Sequence, residues 1–173
     1  MEIPKIPNNG LTEEIKEIVS LCEQLVPEYG EKASWFLPPE SGEEIIKWER
    51  ENGISIPLSY KEWLEFSSES QLRNVLAHFY SPKNFRLNSE GIYKDLIEIA
   101  DLMGDGESLC FSKNNGKFVW DDHGNMNEMD DFKLVLKEII RLLKRESGLS
   151  KRSQDLLMAM VKASKAKRNE GTN

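Results

Sequence analysis

Three short apolar runs between Leu96 and Trp120, separated by glycine-bearing turns, constrain this chain more than any other feature. Leu96-Ile97-Glu98-Ile99-Ala100 leads through Gly104-Asp105-Gly106 to Ser108-Leu109-Cys110-Phe111-Ser112, and Asn114-Asn115-Gly116 then turns into Lys117-Phe118-Val119-Trp120. Glycine enters tight turns at no steric cost, and branched and aromatic residues suit half-buried pleated strands. Turns this short join strands of opposite direction, so the pattern predicts an antiparallel meander. Upstream, Leu72, Val75, Ala77 and Phe79 read as one further strand that ends at the Ser81-Pro82 turn.

The rest of the chain follows a helical period. Ile15, Ile18, Val19, Cys22, Leu25 and Val26 recur at three- and four-residue spacing, which predicts an amphipathic helix with Thr12 as its N-cap and Pro27 just past its end. Residues 29–40, with Gly30, Pro38 and Pro39, read as a loop whose Trp35, Phe36 and Leu37 cover part of the core. Ser41 and Glu44 form a capping box that opens a second helix, and Gly53 supplies the left-handed residue that stops it, with Ile54 packing back. Pro57 suits the first turn of a third helix, Leu58 to about Ser67, with Tyr60, Trp63 and Leu64 on its apolar face. A fourth begins near Asp130-Asp131, whose carboxylates complement the helix dipole, and carries Phe132, Val135, Leu136, Ile139, Ile140 and Leu143. The expected class is α+β, an antiparallel or mixed sheet flanked by helices, in one domain over residues 1–148. Residues 149–173 read as a basic helix, striped by Leu149, Leu156, Leu157, Met160 and Val161, with a polar end too hydrophilic to order.

Composition narrows the partners. With 39% hydrophobic and 31% charged residues in 173, the chain has ordinary globular make-up and enough length for a core without metal or disulfide. Residues 1–143 carry 15 Lys/Arg and 27 Asp/Glu, whereas 144–173 carry 8 and 3. An acidic body repels nucleic acid and anionic membrane and steers cationic proteins towards itself. No run of about 18 apolar residues and no basic start followed by an apolar stretch is present, so the expected location is cytoplasmic, and Cys22 and Cys110 read as buried, reduced thiols.

Catalytic chemistry finds little support. Nucleophilic catalysis needs a nucleophile beside a base, yet His78 and His123, the two histidines, fall in a strand-like run and a turn with no serine or cysteine motif attached. No catalytic residue is assigned, and the chain is expected not to be an enzyme. Gly104-Asp105-Gly106-Glu107 joins two strands and opens no helix, so it reads as a hairpin turn and not a phosphate cradle. Asp101, Asp105, Glu107, Asp121, Asp122 and His123 are expected to meet at adjacent hairpin ends. Oxygen ligands of this kind suit a hard cation, but no ligand spacing is matched and turns use Asp and Gly for backbone reasons. The set is read as a solvated acidic rim used for recognition, with Asp121 and Asp122 on an exposed turn and Trp120 as an apolar anchor; no metal and no cofactor are expected.

The order of these elements carries a resemblance. Gly53-Ile54-Ser55-Ile56-Pro57-Leu58-Ser59-Tyr60-Lys61-Glu62-Trp63-Leu64 resembles the Gly, Leu-Pro, Tyr, Phe-Leu signature of the SUKH superfamily, the Smi/Knr-type domain. Phe79-Tyr80-Ser81-Pro82 is similar to its next strand and turn, Ile99 to Phe111 to its central hairpin, and Val119-Trp120-Asp121-Asp122-His123 to its Trp-Asp-His stretch with one extra Asp. Asp131-Phe132 onward is similar to its closing helix, so the resemblance spans about residues 37–143. Ser67-Ser68-Glu69 departs from the Asn-Gly-Gly usual after the third helix, and residues 144–173 lie outside the match.

What the resemblance implies is an α+β fold with no catalytic residues to transfer. Many bacterial members act as immunity proteins that bind and block toxins, often nucleases, and fungal members are regulators linked to cell-wall synthesis. Two expectations follow: an immunity protein that neutralises a basic bacterial toxin, and, as the alternative, a housekeeping adaptor or regulator that docks an endogenous protein. A toxin gene immediately upstream distinguishes the first from the second. Since fold does not fix function, the binding surface has to be argued from the site itself.

Overall fold

The structure, a computed structural model, describes residues 2–74, 76–88 and 90–148. Val75 and the expected helix and tail over 149–173 lie outside the described residues. Among the described residues the chain runs α1 (Thr12–Tyr29), β1 (Trp35–Phe36), α2 (Gly42–Asn52), α3 (Leu58–Leu64), β2 (Ser70–Leu72), β3 (Ala77–Phe79), β4 (Arg86–Leu87), β5 (Leu96–Leu102), β6 (Glu107–Ser112), β7 (Phe118–Asp122), β8 (Asn125–Met129) and a closing helix α4 over 132–148. Short 3-10 turns at Pro82–Asn84 and Gly91–Tyr93 flank β4. The class is α+β as expected.

One eight-stranded sheet forms, in the order β1-β2-β3-β5-β6-β7-β8, with β4 also pairing β5, and every pairing is antiparallel. The meander is present as β5–β6–β7. The sequence reading missed β8, a polar strand, and it merged β2 and β3 into one. The chain in fact reverses between them, because Arg73 and Asn74 both take positive φ (46° and 54°) and their amides bond Ser34 Oγ and the Ala33 carbonyl. Leu72 and Ala77 thus face each other across a hairpin.

Two helix boundaries also differ. Leu11, not Thr12, occupies the cap of α1, and the Thr12 hydroxyl instead accepts from the Asn9 amide at 2.9 Å, fixing the preceding turn. Pro27 sits inside α1, which continues to Tyr29; in the last turn a proline forfeits only one backbone bond. The loop over 29–40 contains β1, where Phe36 is buried, and the Leu37 that follows is 43% exposed and outside the buried core. The third helix stops at Leu64 and not near Ser67.

The α2–α3 connector matches its reading closely. Ser41 Oγ accepts from the Glu44 amide at 3.1 Å, and Gly53 is left-handed (φ 64°, ψ 27°), with the Gly53 and Ile54 amides both reaching the Glu49 carbonyl. Within this bend the Glu49 carboxylate accepts from the Ile56 amide (2.7 Å), Ser55 Oγ (3.2 Å) and Lys61 Nζ (2.7 Å).

Side chains alternate along the strands, and the alternation decides where the core lies. Phe79, Ile97, Ile99, Leu109, Phe111, Phe118 and Trp120 share one buried cluster with the apolar stripes of all four helices, which therefore pack on a single face of the sheet. Phe132, at the start of α4, is its aromatic hub: its ring lies 4.9 Å from Tyr60, 5.9 Å from Trp63, 5.6 Å from Phe79 and 5.4 Å from Phe118. Tyr60 is wholly buried, and its hydroxyl donates to the Tyr80 carbonyl at 3.0 Å, satisfying a polar group that burial would otherwise penalise. Among the described residues the other face carries a small cluster, Leu96, Cys110 and Val119 with Tyr93 and Met126.

Candidate functional site

Two adjacent turns build the acidic end of the sheet. Met103, Gly104 and Gly106 take positive φ in the β5–β6 turn, as do His123 (52°) and Gly124 (92°) in the β7–β8 turn, the latter close to the type I′ geometry that suits a two-residue hairpin. The β6–β7 register sets Ser108 against Asp121, so the two turns emerge side by side. His123 spans them. Its Nε2 lies 3.1 Å from the Asp105 carbonyl and its Nδ1 3.0 Å from Asp122 Oδ1. Both partners are acceptors and so favour the protonated ring, and the Asp122 carboxylate, followed by the Asp105 carbonyl, holds the imidazole pKa above its ordinary value.

Glu107 completes the cluster, accepting the Trp120 indole N–H at 2.5 Å. Single ligand atoms of Glu107, Asp122 and His123 lie within 4.8 Å of one another. Each is already engaged, Glu107 by Trp120, Asp122 by His123, and His123 by Asp105 as well, so a cation would have to displace existing bonds. Asp105, Asp122 and His123 are exposed and Glu107 is half-buried.

Three expected members play other parts. Trp120 is 7% exposed and belongs to the core, so it cannot serve as a surface anchor; its contribution is to orient Glu107. Asp121 is also 7% exposed, lies in β7 and not on an exposed turn, and accepts the Gly124 amide at 2.6 Å, which fixes the hairpin. Asp101 stands apart from the tip, on the helix-free face, 3.3 Å from Arg86 Nη1.

That face holds a polar row that sequence reasoning missed. Trp35, Gln71, His78, Asp101, Ser108, Asp121 and Met126 are successive cross-strand partners from β1 to β8. Trp35 packs edge-on to His78 (5.6 Å), His78 to Tyr80 (5.1 Å), and the Arg86 guanidinium lies 5.0 Å over the Tyr80 ring while reaching Glu98 at 2.5 Å. Burial, then Asp101, pushes the Tyr80 hydroxyl pKa well up. The signal available in the sequence was the alternation of Ala77 and Phe79 with His78 and Tyr80, which becomes legible once β3 is recognised as its own strand.

The two thiols lie in different clusters. Cys22 sits in the main core and Cys110 in the small cluster on the opposite face, and both are free. Burial raises their pKa to about 11 and about 12, which suppresses the thiolate. His78 Nε2 is held 3.0 Å from Glu69 Oε1.

No helix among the described residues is long and apolar enough to cross a membrane. Compared with known proteins, the chain matches no family model and no curated sequence.

Proposed function

We propose that this chain is a non-catalytic protein-binding domain of the SUKH type, an immunity protein that binds and neutralises a basic bacterial toxin domain of the nuclease kind. The observation that carries the reading is the pair of adjacent turns that present Asp105 and Asp122, with Glu107 beside them, in a chain of net charge −7. A nuclease must attract phosphate, so its active face is cationic, and an acidic protein tip both steers towards such a face and occupies it. The five family-like segments quoted above support the same class. The acidic body disfavours nucleic acid as the ligand.

Co-expression with a candidate toxin encoded immediately upstream of this gene, scored by cell survival, and binding of the purified pair test the proposal. Joint substitution Asp105→Lys and Asp122→Lys reverses charge at two exposed positions while leaving Asp121 to hold the hairpin. It should weaken the complex by about 2 kcal/mol, roughly thirtyfold, mostly by slowing association at low salt. Wild-type protein that neither binds nor protects removes the proposal. A folded double variant that protects fully moves the interface to another face.

A further inference from the structure

The geometry points to self-association: two copies pair edge to edge and antiparallel through β8, about a twofold axis at Asn127. This inference is independent of the toxin-binding reading. β8 ends the sheet order, and its outer side pairs with no strand among the described residues. In a two-residue hairpin the residues flanking the turn exchange both backbone bonds, so Asp122 pairs with Asn125 in this way, and every second pair beyond does the same. Asn125, Asn127 and Met129 therefore spend their backbone groups on β7, and Met126 and Glu128 aim theirs outward. Several usual guards of an exposed edge are missing, since β8 contains no Lys, no Pro and no bulge; its one charged residue is Glu128.

The outward pattern is self-complementary. With Asn127 opposite its own copy, Met126 falls opposite Glu128 of the second copy and exchanges both backbone bonds with it. The axis repeats the exchange, for about four bonds in all. No like charges face each other in this register: Asn meets Asn, Met meets Glu, and Asn125 meets Met129. Lys117, 3.9 Å from Glu128 and 2.8 Å from Asp130, offsets the acidic groups at the strand's far end. Met126 is half-buried against Tyr93 and the Leu96, Cys110 and Val119 cluster, and a second strand would set the Glu128 side chain directly beside it with its own Met126 on the diagonal. A foreign strand would satisfy the same backbone groups, but only a second copy supplies this register by symmetry.

Sedimentation and light scattering on the full chain, from low micromolar to about 1 mM, test the inference, since an edge contact of this size is smaller than a standard stable interface and so associates weakly. The mass should rise from the 19.9 kDa monomer towards twice that value, and added salt should promote the rise by screening the net −7 carried by each copy. Met126→Pro removes an N–H that β7 does not use and should weaken association at least tenfold with an unchanged far-ultraviolet spectrum. If the proline variant fails to fold, Met126→Lys guards the same edge with its backbone intact and should cause the same loss. A monomer at every concentration overturns the inference, as does an oligomer that survives the edge substitutions.

Discussion

Glu49→Ala should be the most damaging single change at the α2–α3 bend. The carboxylate is 19% exposed and accepts three bonds, from the Ile56 amide, Ser55 and Lys61. A hydrogen bond to a charged group contributes about 1.5–3 kcal/mol, and the half-buried Ile56 amide would be left without its acceptor. The Lys61 pair, with Lys61 29% exposed, adds at most about 1 kcal/mol. The sum is about 3 kcal/mol, which at a urea dependence of about 2 kcal/mol per molar lowers the unfolding midpoint by roughly 1.5 M. Glu49→Gln keeps an acceptor without the charge and should cost about half. Burial alone would raise the Glu49 pKa, but the bonds from Lys61 and the Ile56 amide outweigh it and hold the value below the ordinary 4.5. A carboxylate with a lowered folded pKa stabilises above its unfolded pKa and loses that contribution as pH falls through the folded value. The gap between wild type and Glu49→Gln should therefore be constant from pH 6 to 8 and shrink below 4.5. A midpoint shift under about 0.3 M for the alanine variant, or a gap that persists at low pH, would refute the stabilising role of the Glu49 carboxylate.

Other consequences are open to the same titrations. Gly53→Ala should cost about 1 kcal/mol, and since a β-carbon there meets no atom within 4 Å, the loss is backbone strain alone and Gly53→Asn should recover part of it. Tyr60→Phe strands the Tyr80 carbonyl in the core and should cost about 1–2 kcal/mol, whereas Ile99 still receives the Tyr80 amide. Cys22 and Cys110, with pKa raised to about 11 and about 12, should stay silent to a thiol-reactive disulfide at pH 8 until the protein unfolds; rapid labelling of the native state would contradict their burial.

Local chemistry was legible in the sequence where it acts over a few residues. Ser41, Gly53 and the β5–β6 turn each satisfy or break backbone bonds within one turn of chain, so residue type alone announces them. The misreadings involve distant partners. Nothing near Arg73 announces a reversal, because Ser34 and Ala33, some forty residues earlier, hold the turn. β8 escaped notice because an exposed edge strand needs no apolar alternation, only β7 beside it. At the candidate site Asp105, Glu107, Asp122 and His123 were placed together correctly, whereas Asp101 stands apart and Trp120 and Asp121 were misassigned. A strand's last residues face core or solvent according to register, and that register is set by β6.

The position of Phe132 bears on how the protein emerges from the ribosome. Tyr60, Trp63, Phe79 and Phe118 are all synthesised before the ring that packs among them. A nascent chain arrested before α4 can bring α1, α2 and α3 to the sheet but leaves exposed the part of its apolar face that Phe132, Val135, Leu136 and Ile139 cover. Such a face is prone to aggregation while it waits, and non-local closure is slow. Translation speed just upstream of the α4 codons, and the chaperones at the tunnel exit, thus become determinants of yield that the finished structure no longer displays.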